Sequence, residues 1–178
     1  MSIKNFQKIN LNQMIKKIIV SIFCSLMIIG AFAQNKPRSN KPEDVYHWRI
    51  QQAELDGVYI PKDLAECFIE LDKKISTNSK TKFKEVDEML AMKKLHYSLG
   101  RWIWYNWGLY EGSRLSVYMN KIGMHQPEDM ADFIVVAYHR HLNKKPLDAK
   151  ELVEFFQERR RKEKEEREKA RSTNEGKQ

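Results

Sequence analysis

Eight polar side chains of this sequence lie among aromatic or apolar neighbours rather than on plainly solvated stretches: His96, Arg101, Asn106, Arg114, His125, His139, Arg140 and His141. An imidazole can move a proton or hold a metal, a guanidinium grips carboxylates and phosphates through its planar fork, and an amide reads sugar or peptide groups. Their spacing builds no metal motif. A zinc site wants ligands at i and i+4 on one helix or a close His/Asp/Glu cluster, whereas His139 and His141 are two residues apart and diverge around a helix. Ser98 and Ser113 lack the glycine-flanked strand-to-helix elbow of hydrolases, and Ser113 reads as a helix cap. The pairs Glu43-Asp44 and Glu128-Asp129 suit helix N-termini and give no support to a glycosidase-like acid/base pair. No metal or cofactor is therefore expected.

What remains has the composition of a recognition patch. Asn106 and Arg114 bracket the turn Trp107-Gly108-Leu109-Tyr110, beside the ring faces of Trp104 and Tyr110. Such a patch fits a peptide, a glycan or an anionic group. The candidate ligand-binding residues are His96, Arg101, Trp104, Asn106, Tyr110, Arg114 and His139. In the blander alternative, Asn106 and Arg114 bond the loop's own carbonyls and hold the turn shut. An enzyme is the competing class, its site assembled across helices from His96, Arg101, Arg114 and His139. An immunity or inhibitor protein is a third reading and needs a large complementary patch.

The elements that must position these groups are helical. Residues 95–113, LHYSLGRWIWYNWGLYEGS, hold three of the four tryptophans, and Leu95, Leu99, Trp102, Ile103 and Asn106 follow one helical face. Apolar over more than half its circumference, this helix is expected at the centre of the fold. Gly100 would admit a close neighbour, and Gly108 suits the left-handed residue past a helix end. Earlier, Pro42-Glu43-Asp44 opens a first helix, Asp56-Gly57 turns the chain, and Pro61 starts a second helix carrying Leu64, Cys67, Phe68 and Leu71. Residues 76–81 read as a loop. Later, the spacing predicts helices over 115–122, from Pro127 to Asn143, and from Asp148 through Phe156. No repeat and no convincing strand pair is present. The expected fold is all-α, one compact bundle of about six helices around the aromatic-rich helix.

The two ends are of a different kind. Residues 1–33 have a basic front, an apolar run over 18–32 and the small-x-small pattern Ala31-Phe32-Ala33, the layout of an export signal. The run is shorter than the ~20 residues of a spanning helix, so membrane contact is expected only through this segment if it stays uncleaved. With it go four of the 32 lysines and arginines and none of the 24 acids, which lowers the net charge from +8 to +4. Most of that remainder sits in the tail 158–178, where Glu158, Glu163 and Glu165 precede Lys162, Arg167 and Lys169 by four residues, the order that supports a solvated helix. The domain between them, 42–157 after a polar lead-in at 34–41, is close to neutral, which argues against nucleic acid. Cys67 is the one cysteine outside the signal, and it belongs to an apolar row. The protein is expected to be exported, periplasmic or secreted, with a protein, peptide or glycan partner in the cell envelope or outside.

The pattern Leu95-His96-x-x-Leu99-Gly100-x-Trp102-Ile103-x-x-Asn106-Trp107-Gly108-Leu109-Tyr110-x-Gly112-Ser113-Arg114-Leu115, with Gly123-x-His125-x-Pro127-x-Asp129-Met130 after it, resembles a family of uncharacterised bacterial domains of unknown function. The resemblance covers about 58–158 and implies a helical domain behind a signal peptide. It brings no activity with it.

Overall fold

In the computed structural model the described residues are 41–175, with side chains as far as 172, all within one unit spanning 39–178. The export signal expected at 1–33, and the lead-in up to residue 40, lie outside them. The described chain is helical apart from one small hairpin. Its helices are α1 (Pro42–Arg49), α2 (Leu64–Lys74), α3 (Thr77–Glu85), α4 (Glu88–Leu95), α5 (Arg101–Asn106), α6 (Arg114–Lys121), α7 (Pro127–Leu142) and α8 (Ala149–Glu175). A π-helical turn, His96–Gly100, joins α4 to α5, so that 88–106 forms one rod. A π turn wedges an extra residue into the ladder and re-aims the side chains around it.

The caps explain most boundaries. The side chains of Asp63, Ser76, Asp87 and Ser113 each accept a hydrogen bond from a backbone N–H in the first turn of the helix that follows. Ser113 and Ser116 complete a reciprocal capping box, an arrangement contributing about 1 kcal/mol. Pro127 starts α7, where it sacrifices no hydrogen bond. Gly108, at φ +61°, ends the rod with the Leu109 N–H on the Trp104 carbonyl.

Three sequence expectations give way. Residues 76–81 are mostly helix, because the Ser76 cap starts α3 and Phe83 anchors its far end against Tyr138 and His139. A strand pair does exist: β1 (Glu54–Leu55) and β2 (Val58–Tyr59) form an antiparallel hairpin. Its Asp56-Gly57 turn has both residues at positive φ, 50° and 77°, the signature of a tight two-residue connection. The third concerns the centre of the bundle. Every residue from Asp129 to His139 in α7 is buried, and α7 packs against α2, α3, the rod, α6 and α8. The aromatic rod buries only part of itself: Gly100, Ile103 and Trp107 are enclosed, while Tyr97 and Tyr105 are about 80% exposed, at 80% and 81%. Large rings raised the apparent apolarity of the rod, but a ring can equally stand at the surface.

The core gathers Leu64, Cys67 and Leu71 of α2, Ile103 and Trp107, Leu115 and Met119 of α6, the body of α7, and Leu152 and Phe156 of α8. Burying Trp107, Phe133, Tyr138 and Phe156 contributes about 1.5–3 kcal/mol each. The Cys67 thiol is fully enclosed, and burial pushes its pKa well up. It packs as a small apolar group.

Candidate functional site

An open groove of about 620 Å³ runs beside the turn that follows the rod. Its walls are Trp104, Tyr105 and Asn106 at the end of α5, the turn residues Gly108, Tyr110 and Glu111, the hairpin, and Arg49 of α1. Helix α1 has no fully buried residue, and Arg49 fixes its end to the turn. Arg49 Nε donates to the Gly112 carbonyl at 3.1 Å, and Nη2 lies 2.9 Å from Glu111 Oε2. Two glycines make room for this contact. A Cβ on Gly108 would stand 3.0 Å from Arg49 Nη2, and one on Gly112, at φ +92°, would stand 2.5 Å from the Tyr46 ring. Trp104 meets His96 and Tyr110 edge-on, at 5.8 and 6.2 Å between centroids. The Tyr110 hydroxyl donates to Glu128, and this bond raises the phenol's pKa. Asn106 Nδ2 donates to the Trp102 carbonyl at 2.8 Å, so this bond uses the amide nitrogen and not the oxygen.

A second, charged cleft of about 460 Å³ opens between the rod, α7 and α8. Two carboxylates of α7, Asp129 and Asp132, are only 3% and 2% exposed. His96 Nδ1 is 2.8 Å from Asp132 Oδ1. Arg159 Nη2 bonds Asp129 and stands 3.4 Å from Asp132, and Arg160 grips both oxygens of Asp129. Burial pushes the Asp132 carboxyl above its ordinary value, against the pull of His96 and Arg159. Two carboxylates in so enclosed a place need the guanidinium groups that face them to offset the cost of burial.

The seven sequence candidates divide into separate surroundings. Trp104, Asn106 and Tyr110 share the groove, and His96 stands behind Trp104 in the charged cleft. Arg101 is exposed on the rod. Arg114 faces elsewhere: its Nε donates to the Ile60 carbonyl at 2.7 Å, and its guanidinium lies 5.0 Å from the Tyr59 ring centroid. His139 is buried, with Nε2 2.9 Å from the Val86 carbonyl and Phe83 edge-on to its ring. The four-residue catalytic assembly of His96, Arg101, Arg114 and His139 therefore does not form. Neither the aromatic groove nor the charged cleft is lined by two of the four. Of the other polar candidates, Arg140 holds Glu88 through two bonds and the Leu147 carbonyl through a third. His141 stacks on Phe68, and His125 reaches Asn120. Among the described residues no group of three or more His, Cys, Asp or Glu is placed to hold a metal ion.

Sequence reasoning missed Arg49, Asp129 as a buried anion, Asp132, Arg159 and Arg160. The detectable signal was Asp132 within the apolar run Met130-Ala131-x-Phe133-Ile134, since an acid on a core face needs a cation. Its partners lie 27 to 36 residues away in sequence, a distance no local pattern spans.

Residues 60–142 match the family model described as Domain of unknown function (DUF6794). The matched part begins at the end of the hairpin and stops with α7, so it contains the rod, the aromatic turn and the buried α7. No curated protein and no solved structure matches the chain.

Proposed function

We propose that this chain is an exported, non-catalytic binding module whose ligand groove is the aromatic one, and that the ligand is a glycan segment. The observation that carries this reading is the exposure of Tyr105 and Tyr110, at 81% and 63%, beside the half-buried Trp104 in a groove that α1 and the turn hold open. Large rings left mostly in water and gathered at one groove mark recognition surfaces. Their flat faces suit the apolar faces of sugar rings, and Asp56, Glu111 and the Asn106 oxygen offer acceptors for hydroxyl groups. An anionic ligand is disfavoured, because the groove's guanidinium, Arg49, is already occupied by Glu111 and the Gly112 carbonyl. Export rests on the basic, apolar and small-residue pattern of residues 1–33.

The test is a titration with neutral oligosaccharides, peptidoglycan fragments and short peptides, following tryptophan emission. We expect a saturable change with one glycan class, abolished in Trp104→Ala and at least severalfold weaker in Tyr105→Ala. Response to peptides alone would replace the glycan by a protein partner, and no response in any arm would remove the groove from consideration.

One observation supports an enzyme as the second reading: His96 presents Nδ1 to a buried carboxylate and sits in an open cleft, the orientation of a general base held by a positioning acid. Loss of any detected hydrolytic activity in both His96→Gln and Asp132→Asn, with folding retained, would favour it.

A further inference from the structure

A third depression, of about 400 Å³, lies between α3 and the rod, away from the aromatic groove and the charged cleft. Its floor and walls are apolar: Ile75, Phe83, Val86, Ala91, Leu95 and Leu99. Its volume falls within the range of small-molecule sites, and so does its composition, mostly hydrophobic with few polar groups at the margin. Those margin groups are Ser79 and two lysines, Lys82 on α3 and Lys94 on α4. Neither lysine has an ion-pair or hydrogen-bond partner among the described residues, although α2 and α3 supply pairs elsewhere, as Lys73 with Glu70 and Lys80 with Asp72. A lysine on such a rim lays its methylenes along apolar surface and keeps its ammonium in water, ready for an anion.

The stretch of chain that supplies this depression is rich in lysine, and two of those lysines line it. Residues 73–94 contain seven lysines and three acids, a local net charge of +4, whereas the rest of 42–157 holds nine lysines and arginines against fifteen acids. Helix α3, which forms one wall, has no buried residue and rests on α7 through Phe83 and a few polar contacts. A wall held so lightly can shift to admit a chain. An apolar trough excludes sugars and phosphates as its main filling, while a cationic rim excludes cationic and favours anionic head groups.

We infer that this depression binds a single-chain anionic amphiphile of the fatty-carboxylate class, with its alkyl chain against Phe83, Val86, Leu95 and Leu99 and its carboxylate at Lys82 and Lys94. The site is independent of the aromatic groove and does not rest on the glycan reading.

The experiment is calorimetric titration of the full chain with dodecanoate below its micellar range, alongside butanoate and dodecyltrimethylammonium. Dodecanoate binds saturably, butanoate and the cationic amphiphile do not compete with it, and the double variant K82E/K94E binds it roughly tenfold more weakly, as expected when two exposed attractions are reversed. Val86→Trp fills the trough and abolishes binding while the circular dichroism spectrum is unchanged. Trp104→Ala leaves dodecanoate affinity as it was, which separates failure here from failure at the aromatic groove. Absence of dodecanoate binding overturns the inference. So does equal affinity for the cationic amphiphile, or affinity unmoved by both K82E/K94E and Val86→Trp, which would trace the uptake to another apolar segment such as residues 18–32.

Discussion

At the scale of single residues, two glycines of similar appearance in the sequence have opposite duties. Gly112 combines φ +92° with a tyrosine ring where a Cβ would go, whereas Gly100 has ordinary helical φ and space for a methyl group, the nearest atoms being 3.5 and 3.6 Å away. Gly112→Ala should cost about 1–3 kcal/mol from backbone strain and displacement of Tyr46. Gly100→Ala should be neutral or stabilising by up to ~1 kcal/mol through helix propensity. Urea unfolding of the two variants checks both, and equal costs would contradict the assignment. The close approach expected at Gly100 is thus no closer than alanine allows. Asp129 makes a comparable point for charge. It stands two residues after Pro127 and reads as one more helix-start acid, yet it is enclosed by two arginines from α8. Asp129→Ala would strand both guanidinium groups. Because Arg159 and Arg160 keep 26% and 36% of their side chains in water, the loss should be nearer 2 kcal/mol than the ~3–5 kcal/mol of a fully buried pair.

At the scale of elements, the readable features were those written in adjacent residues. The cap at Ser113, the stop at Gly108, the start at Pro127 and the apolar rows of α2, α6 and α7 could all be read directly, because caps and periodicity are local physics. Helix α3 was not readable: TNSKTKFKE carries one large apolar residue, and its helicity depends on a Ser76 cap and a docked Phe83. The groove was half legible, since the rings announced a surface but Arg49, which holds the turn in place, comes from 63 residues upstream. The charged tail likewise divides in two. Its first turn docks through Arg159 and Arg160, and the exposed remainder carries i, i+3 and i, i+4 pairs such as Arg161–Glu158 and Lys164–Glu168. A chain ending at residue 157 should therefore melt several degrees below one ending at residue 168, while removal of 169–178 changes little. Equal melting temperatures for the two truncations would mean that the arginine contacts contribute nothing in solution.

For the molecule as a whole, the balance of carboxylates sets how stability depends on pH. Burial alone would raise the Glu66 carboxyl, but hydrogen bonds from the Tyr59 hydroxyl and from Lys62 outweigh it and bring it from an ordinary 4.5 down to about 2. Asp72 is likewise lowered: bonds from Tyr138 and Lys80 overcome its desolvation. Glu88 is lowered chiefly by Arg140. Each of these groups is more acidic folded than unfolded, so each contributes stability that is complete above its unfolded value and lost as pH falls toward its folded one. Asp132 acts in the opposite sense. Its raised folded value means that the native state takes up a proton first, which relieves a burial penalty as acid is added. With Glu158, lowered by Arg161 on the exposed tail, four lowered carboxyls stand against one raised one and make the net slope positive, so stability should fall from about pH 4.5 downward. Glu66 ties the start of α2 to the hairpin and, through Arg114, to α6, so its protonation loosens the hairpin that forms one wall of the aromatic groove. Melting curves across pH 3–7 should show a shallower acid decline for Glu66→Gln than for the parent chain, with the two converging near the lowest pH, where Glu66 begins to take up its proton. A parallel pair of curves would show that the Tyr59 and Lys62 bonds do not hold Glu66 ionised.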